Sequence, residues 1–170
     1  LDGEAGLAPV QVVAGGATRQ DSVARTLVAL PPEVDVVLVH DAARPLAPAS
    51  LVDEVVAAVR AGAPGAIPGV PVADTIKQVG EGEVITATVD RSVLRAAQTP
   101  QGFRRSVLAE AHAVSDPDAP ATDDAGLVEA LGVEVVVIPG HEEAFKVTRP
   151  LDLALAEAVL ARRRAAGVVA

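Results

Sequence analysis

The 170-residue sequence contains no cysteine, tryptophan, tyrosine or methionine, and Phe103 and Phe145 are its only aromatic residues. Without cysteine the chain has no disulfide framework, no thiolate metal ligand and no thiol nucleophile. A nucleobase would find at most two rings on which to stack. Chemistry that depends on thiols or on aromatic stacking is therefore excluded or strongly limited.

The sequence also has few positive charges, with 14 Lys and Arg residues against 23 Asp and Glu residues and a net charge of −9. Nucleic-acid and membrane-surface binding both need a positive face, so neither kind of partner is expected. No apolar run is long enough to span a membrane, and no basic-then-apolar signal stands at the start. The sequence predicts a cytoplasmic protein with one domain over residues 1–170.

The chain is rich in Ala, Val and Leu, and strand-like and helix-like segments alternate along it. This alternation predicts an α/β fold, a doubly wound, Rossmann-like, mainly parallel sheet. Its organising strand is Val36–Val39, which we expect to be buried on both faces. Asp41 and Arg44 follow it, at the sheet edge where such folds bind ligands. The alternative is that Asp41 caps the turn and pairs with Arg44.

The first segments predict a strand over residues 10–14, a glycine turn at Gly15 and Gly16, and a helix capped by Asp21 and Ser22. The backbone N–H groups of this turn could hold an anion or a base edge, although plain turn chemistry explains the glycines as well. Because the chain begins almost within a strand and without a start methionine, we expect an N-terminally truncated domain.

The remaining pattern predicts a helix capped by Ser50 and a final helix opened by Pro150 that buries Leu151, Leu155, Val159 and Leu160. The other expected elements are an irregular or edge strand over 66–72, a polar loop over 99–103, a helix over 105–114, a loop over 116–120, a helix over 125–131 with a cap and acidic first turn at Thr122 to Asp124, and a buried strand over 133–138.

Residues 74–91 alternate polar and apolar side chains around the Gly80 to Glu83 turn and predict a β-hairpin. A two-stranded ribbon is marginally stable alone, so its apolar side needs a surface to cover it. The sequence therefore predicts that residues 74–91 form a protruding arm through which the protein makes a homodimer.

Several segments, in one order and at these spacings, resemble the 2-C-methyl-D-erythritol 4-phosphate cytidylyltransferase family of the non-mevalonate isoprenoid pathway. The resemblance runs from about Val10 to the end of the chain. It is carried by AGG at 14–16 with DSV at 21–23, VLVHDAARP at 37–45, DTIK at 74–77, VDR at 89–91, QTPQGF at 98–103, TDDA at 122–125 and KVTRP at 146–150.

The resemblance implies an enzyme that transfers the cytidylyl group of CTP to 2-C-methyl-D-erythritol 4-phosphate and releases pyrophosphate, with Mg²⁺ bound mainly through the CTP phosphates. It assigns catalytic roles to Lys146 and Asp41 and gives no metal ligands. The implied nucleotide-binding residues are Gly16, Ala17, Ser22, Asp41 and Ala42. The implied substrate-binding residues are Asp41, Arg44, Thr75, Arg91, Thr99, Thr122 and Lys146, with Thr75 and Arg91 serving the neighbouring subunit.

The structural alternatives are a helix cap for Thr122, a surface charge for Lys146 and an arm-surface charge for Arg91. His40, His112 and His141 lack metal-ligand spacing and are expected to be structural or exposed.

One feature of the family has no counterpart in these residues, namely the Gly-rich loop with arginine and lysine that cradles the triphosphate. We therefore expect this chain alone to have little activity. Two other functions stay open: a cytidylyltransferase for ribitol 5-phosphate or another polyol phosphate, and a non-catalytic dimerising α/β module.

Overall fold

A computed structural model of the protein describes residues 10–115 and 121–167. Its helices and strands follow the α/β pattern that the sequence predicts. The strands are β1 (Val36–Val39), β2 (Gly65–Pro71), β3 (Ile76–Val79), β4 (Ile85–Val89), β5 (Arg95–Ala97), β6 (Gln101–Arg104) and β7 (Val135–Pro139). The α-helices are α1 (Arg19–Ala29), α2 (Ala49–Arg60), α3 (Arg105–Val114), α4 (Asp124–Ala130) and α5 (Pro150–Ala165).

The main sheet is mixed, so the α/β class is confirmed and the mainly parallel arrangement only in part. β6 runs antiparallel between β1 and β2, and β5 pairs antiparallel with the far end of β2. β1, β2 and β7 therefore point the same way, but among the described strands only β2 and β7 form a parallel pair.

The prediction of a polar loop over residues 99–103 is wrong, because Gln101–Arg104 is an interior strand of the sheet. Gln101 is 1% exposed, and its amide bonds the Asp123 carboxylate and the Ala125 N–H. A glutamine with both ends of its amide satisfied can be buried at small cost. Its polarity hides the strand from a search for apolar runs.

Helices cover both faces of the main sheet. On one face, Val55 and Val59 of α2 pack with Leu38 of β1. On the other, Leu108 of α3 and Val128 of α4 join the buried core. At Gly102 in β6, an added Cβ would lie 2.4 Å from Val55 Cγ1. The missing side chain therefore lets α2 pack directly against the strand.

β1 lies at the edge of the described sheet, where it pairs only with β6 among the described strands. Val37 is buried and its strand neighbours are partly buried, so the expectation of full burial on both faces is too strong. The predicted strand over 10–14 is also wrong, since its residues form no strand. A strand requires a ladder partner, and no described segment pairs with the free edge of β1.

Three helix starts differ from the predicted caps. α1 begins at Arg19 after Thr18, whose side chain accepts from the Asp21 N–H while Asp21 accepts from the Thr18 N–H. This capping box uses Asp21 inside the first turn, so neither Asp21 nor Ser22 is the cap. α2 follows Pro48 instead of Ser50, and the cap of α4 is Asp123 rather than Thr122. α3 spans the predicted residues.

Three strand predictions have different outcomes. β2 is expected to be irregular or at an edge because of its prolines and glycines, but it pairs on both sides and is the central strand. β7 is expected to be buried, but it has only one described partner and its Val136 and Val137 are exposed. The hairpin prediction is confirmed: β3 and β4 pair only with each other, in a separate two-stranded sheet.

The final helix begins at Pro150 as predicted but buries only part of the predicted side. Val159 is buried with Ala156 against Leu46. Leu151 is 79% and Leu155 51% exposed. The predicted loop over 116–120 lies outside the described residues. None of the described helices has the length and apolar character needed to cross a membrane.

Candidate active site

The loop after β1 presents the Asp41 carboxylate at the end of the sheet. The Arg44 N–H donates to the Asp41 carbonyl at 2.9 Å and closes a tight turn. The Asp41 N–H donates to Thr99 Oγ1 at 3.0 Å, and Thr99 itself is 4% exposed. The backbone of Asp41 is thus anchored, which leaves its side chain for other contacts.

Thr99 and His40 complete this anchor. Thr99 Oγ1 lies 2.9 Å from His40 Nδ1, and His40 Nε2 lies 3.1 Å from the Arg44 carbonyl. Both contacts are satisfied if the Thr99 hydroxyl donates to Nδ1 and a protonated Nε2 donates to the carbonyl. His40 therefore has the structural role expected of it, because it joins the two ends of the Asp41 turn.

Three cationic side chains surround Asp41. Lys146 Nζ lies 3.2 Å and Arg44 Nε 3.8 Å from Asp41 Oδ2, while Arg19 Nε lies 3.5 Å from Oδ1. Lys146 belongs to the segment between β7 and α5. The Val147 N–H holds that segment to the Asp41 loop by donating to the Ala43 carbonyl at 2.7 Å. We call Arg19, Asp41, Arg44 and Lys146 the charged cluster.

Arg44 links further segments to the charged cluster. Its Nη1 donates to the Ala144 carbonyl at 2.7 Å and its Nη2 to the Ala97 carbonyl at 3.3 Å. Its Nε is buried and makes no hydrogen bond. A buried guanidinium N–H without a partner is costly, so Arg44 retains an unused donor beside Asp41.

The cations keep Asp41 ionised. Burial alone would raise the pKa of Asp41, but the hydrogen bond from Lys146 and the charges of Lys146, Arg19 and Arg44 hold that pKa below its usual range. Burial also lowers the pKa of Arg44, against the charge of Asp41. The arrangement is a carboxylate acceptor at the centre of an excess of positive charge.

The charge balance of this region differs from that of the whole chain. Arg19 also pairs with Asp124, so three cations face two carboxylates and one positive charge is in excess. The complete sequence carries a net charge of −9. A local positive site in an acidic protein can bind an anion such as a phosphate while the rest of the surface repels polyanions.

The glycine turn before α1 is tightly closed. The Gly16 N–H donates to Ser22 Oγ at 3.0 Å, and Ser22 Oγ donates to the Thr18 carbonyl at 2.9 Å. A Cβ on Gly16 would lie only 2.1 Å from the Asp21 Cβ, so this position requires glycine. The Ser22 hydroxyl therefore holds the turn closed by hydrogen bonds, while Ala17 is exposed at its tip.

A cleft of about 470 Å³ connects this turn region to the Asp41 loop. Ser22 and Arg19 line one side, and His40, Asp41 and Ala42 line the other. Its apolar lining includes Val23 and Val39. The structure thus brings the predicted nucleotide-binding residues Ser22, Asp41 and Ala42 to one cleft, beside the charged cluster.

Comparison with known proteins agrees with this geometry. The family model described as 2-C-methyl-D-erythritol 4-phosphate cytidylyltransferase matches residues 2–162. The chain belongs to this family. A Streptomyces coelicolor protein of that name is 63% identical over 159 residues, covering 90% of this chain and 58% of the relative. The Streptomyces avermitilis protein of the same name is 61% identical, covering 90% of this chain and 63% of the relative.

Solved structures of family members share the fold. The Thermus thermophilus enzyme has a TM-score of 0.78 at 44% identity, covering 91% of this chain and 77% of that protein. The Francisella tularensis enzyme has a TM-score of 0.76 at 29% identity, covering 85% of this chain and 69% of that protein. The chain spans about 58 to 63% of the length of the two Streptomyces relatives.

Of the remaining residues that the family resemblance implies, Thr122 lines a second cavity of about 430 Å³ together with His112 and with Arg19 of the charged cluster. Thr75 and Arg91 flank the hairpin, where Arg91 Nη1 donates to the Ala73 carbonyl. Among the described residues, no hydrogen bond or ion pair joins Thr75 or Arg91 to the charged cluster of the same chain. Their substrate roles stay predictions.

Sequence reasoning misses Arg19 and Asp124 as parts of the site. From the sequence, Arg19 is only part of the glycine-rich turn and Asp124 only part of an acidic first helical turn. In the structure Asp124 is fully buried and bonds both Arg19 and His112. No local pattern marks this contact, because Arg19 and Asp124 are 105 residues apart in the chain.

The described residues do not form a metal site. No group of three or more His, Asp or Glu side chains in the described ranges could hold a metal ion. Both oxygens of Asp41 face cations, which is the wrong environment for a ligand of a hard divalent cation. The residues therefore do not fit a protein-bound Mg²⁺.

Proposed function

We propose that the protein, expressed from its complete reading frame, transfers the cytidylyl group from CTP to 2-C-methyl-D-erythritol 4-phosphate. The observation that carries this proposal is the charged cluster, an ionised Asp41 enclosed by Arg19, Arg44 and Lys146 beside the Ser22 cleft. Family membership and the names of the Streptomyces relatives support the same activity. A cytoplasmic location stays a prediction.

The reaction needs no protein nucleophile. A phosphate oxygen of the acceptor attacks the α-phosphorus of CTP, a new P–O bond forms, and the bond from that phosphorus to the β-phosphate oxygen breaks as pyrophosphate leaves. Catalysis then consists of positioning and of stabilising the developing negative charge. This chemistry agrees with a sequence that has no cysteine and a site dominated by placed charges.

The charged cluster can supply both requirements. Lys146 is half exposed, with 49% of its side chain accessible, so a phosphate can replace Asp41 as its partner. Arg44 is held by two carbonyls and offers a fixed positive charge. Asp41 stays ionised and accepts hydrogen bonds from the hydroxyls of a polyol or ribose. We assign phosphate binding to Lys146 and Arg44, and hydroxyl binding to Asp41.

The glycine turn is assigned to the cytosine. Ser22, whose hydroxyl accepts from the Gly16 N–H, lines the cleft, and Ala17 is exposed. Recognition by backbone groups suits a chain with only two aromatic residues. Because the described residues do not fit a protein-bound Mg²⁺, the Mg²⁺ implied by the family resemblance would be carried by the CTP phosphates.

The hairpin is assigned to dimer formation, with its own main-chain pairing confined to β3 and β4. Its large apolar side chains are exposed, with Ile76 at 36%, Val79 at 46% and Ile85 at 58%. A ribbon of this kind gains stability by burying its apolar side, and a second copy of the chain is the proposed cover. Thr75 and Arg91 would then reach the neighbouring subunit's acceptor phosphate.

Pyrophosphate release tests the activity. The complete protein is assayed with CTP and 2-C-methyl-D-erythritol 4-phosphate, and in parallel with CTP and ribitol 5-phosphate. Turnover should require CTP and favour the first acceptor, and Lys146→Ala should lose about a hundred-fold or more. Arg60→Ala, at an exposed helix end, is the matched control and should keep normal activity. Faster turnover with ribitol 5-phosphate would identify that compound as the acceptor. No turnover with either acceptor would favour a non-catalytic module.

Mixed dimers test the shared site. Arg91→Ala and Lys146→Ala proteins, each nearly inactive alone, are mixed and allowed to exchange subunits. One site of the mixed dimer would contain neither change, so part of the activity should return. Subunit exchange is verified by native mass spectrometry with differently tagged chains. Exchange without any return of activity would refute the assignment of Arg91 to the neighbouring site.

A further inference from the structure

Asp124 is a buried carboxylate that joins three helices. Its side chain is fully buried at the start of α4, where Oδ1 lies 2.9 Å from His112 Nε2 of α3. Its Oδ2 accepts from Arg19 Nη1 of α1 at 2.7 Å. Burial raises the pKa of Asp124, but the hydrogen bond from His112 and the charge of Arg19 outweigh it, so the pKa lies below its usual range.

Arg19 connects the buried Asp124 to Asp41 in the charged cluster. One nitrogen, Nη1, bonds the buried Asp124, and another, Nε, faces Asp41 Oδ1 at 3.5 Å. Arg19 is the first residue of α1, whose start is fixed by the Thr18 capping box. The neighbouring Gln20 amide donates to Ser115 Oγ at 2.7 Å and ties the same turn to the end of α3. Both the backbone and the guanidinium of Arg19 are therefore held in place.

We propose that Arg19 is a positioning residue for Asp41, held in place by the buried Asp124 and His112. The proposal rests on the proposed function and adds residues that sequence reasoning misses. A planar guanidinium can face two carboxylates in fixed directions, which a lysine ammonium on a flexible stem cannot do. Arg19 thereby fixes the side of the Asp41 carboxylate that Lys146 and Arg44 do not contact.

The arrangement explains how Asp41 stays in position when substrate binds. Lys146 contacts Asp41 in the structure, and a phosphate would draw Lys146 away. Asp41 would then lose a hydrogen-bond partner and, without Arg19, would be free to rotate. Arg19 stays beside Asp41, because its other end is bonded to Asp124 in the core. Asp41 therefore keeps both its charge and its direction toward the acceptor hydroxyls.

A double-mutant cycle tests the proposal in the complete protein. Arg19→Lys should raise the acceptor KM by about five- to twenty-fold and leave the CTP KM within about two-fold. In an Asp41→Asn background the same change should raise the acceptor KM by less than about two-fold, because its target is gone. Arg60→Lys is the matched control. Independent, multiplying effects, or a normal KM in Arg19→Lys, would overturn the proposal.

Asp124→Asn tests whether the buried Asp124 holds Arg19 in position beside Asp41. It should produce the same rise in acceptor KM and the same dependence on Asp41, together with a lower Tm. A lower Tm with a normal acceptor KM would make Asp124 a purely structural residue and would overturn its assigned role. If Asp124→Asn fails to fold, the cycle through Arg19 still decides the proposal, since 40% of that side chain is exposed.

A measurement without turnover separates this inference from the proposed function. Carbon-13 NMR of the side-chain carboxyl of Asp41 reports its pKa in the wild-type protein and in Arg19→Gln. Removing a facing positive charge should raise that pKa toward its ordinary value. An unchanged pKa would overturn the inference whatever the activity. A raised pKa in a protein that turns over neither acceptor would refute the proposed function and leave the contact between Arg19 and Asp41 supported.

Discussion

Replacing Asp41 by asparagine separates a substrate-binding role from a structural one. Both carboxylate oxygens of Asp41 face cations, Oδ1 toward Arg19 and Oδ2 toward Lys146 and Arg44. An asparagine keeps the shape but must point its NH₂ group toward one of these cations. Whichever way the amide turns, one ion pair becomes a contact between two donors.

The expected loss follows from these contacts. A hydrogen bond to a charged group contributes about 1.5–3 kcal/mol, which corresponds to roughly a ten- to hundred-fold change in affinity. Asp41→Asn should raise the acceptor KM within that range. The CTP KM should change by less than about three-fold, because phosphate binding is assigned to Lys146 and Arg44, and Asp41→Asn removes only a negative charge beside them.

Steady-state pyrophosphate release, with each substrate varied in turn, measures both constants, and thermal unfolding measures the Tm. Asp53→Asn, an exposed carboxylate on α2, is the matched control. If Asp41 only closed its turn, the Tm would fall and the acceptor KM would stay normal. A normal acceptor KM in a stably folded Asp41→Asn protein would refute the assignment of Asp41 to the acceptor.

Three further predictions concern stability. The lowered pKa values of Asp41 and Asp124 mean that their stabilisation is complete above the unfolded carboxyl pKa of about 3.9 and is lost as pH falls through the folded values. Urea unfolding from pH 6 to pH 2 should show this loss, and a smaller one in Asp124→Asn; equal losses would contradict it. Gly102→Ala should lower the free energy of unfolding by about 1–3 kcal/mol, because its Cβ would meet Val55, and unchanged urea unfolding would be inconsistent with the packing described. Glu143→Gln should lower the Tm by a few degrees, less so at high salt, because Glu143 holds Arg162 and Arg163 of α5; a salt-independent change would point to a cause other than these ion pairs.

The sequence predicts those parts of the fold that depend on local apolar periodicity. α2, α3 and the hairpin have such patterns and occur near their predicted positions. β6 does not, because Gln101 and Gly102 satisfy burial by hydrogen bonding and by close packing, which are properties of their partners. β5 and β6 both run antiparallel to β2, so these two short strands account for the part of the parallel arrangement that the structure does not confirm.

The final helix shows the reverse case. The apolar character of its leucines predicts that they are buried, yet Leu151 and Leu155 are exposed. The smaller Ala156 and Val159 make the contact with Leu46. Periodicity shows that a helix has an apolar side. Which residues of that side are buried depends on the neighbouring segment, here the loop that contains Leu46. Exposed leucines on one helix and exposed aliphatic residues on the hairpin are two surfaces that a partner could cover.

The site is predictable where it consists of loop residues at strand ends, and unpredictable where charges pair through the core. Asp41, Arg44 and Lys146 stand in recognisable segments and meet as expected. Arg19 and Asp124 meet only because α1 and α4 begin close to one another in the fold. A buried carboxylate is retained only when its partners are correctly placed, since an unpaired buried charge is strongly destabilising. Asp124 therefore depends on Arg19 for its burial, and the same guanidinium faces Asp41, so one ion pair couples the stability of the helix starts to the geometry of the binding site.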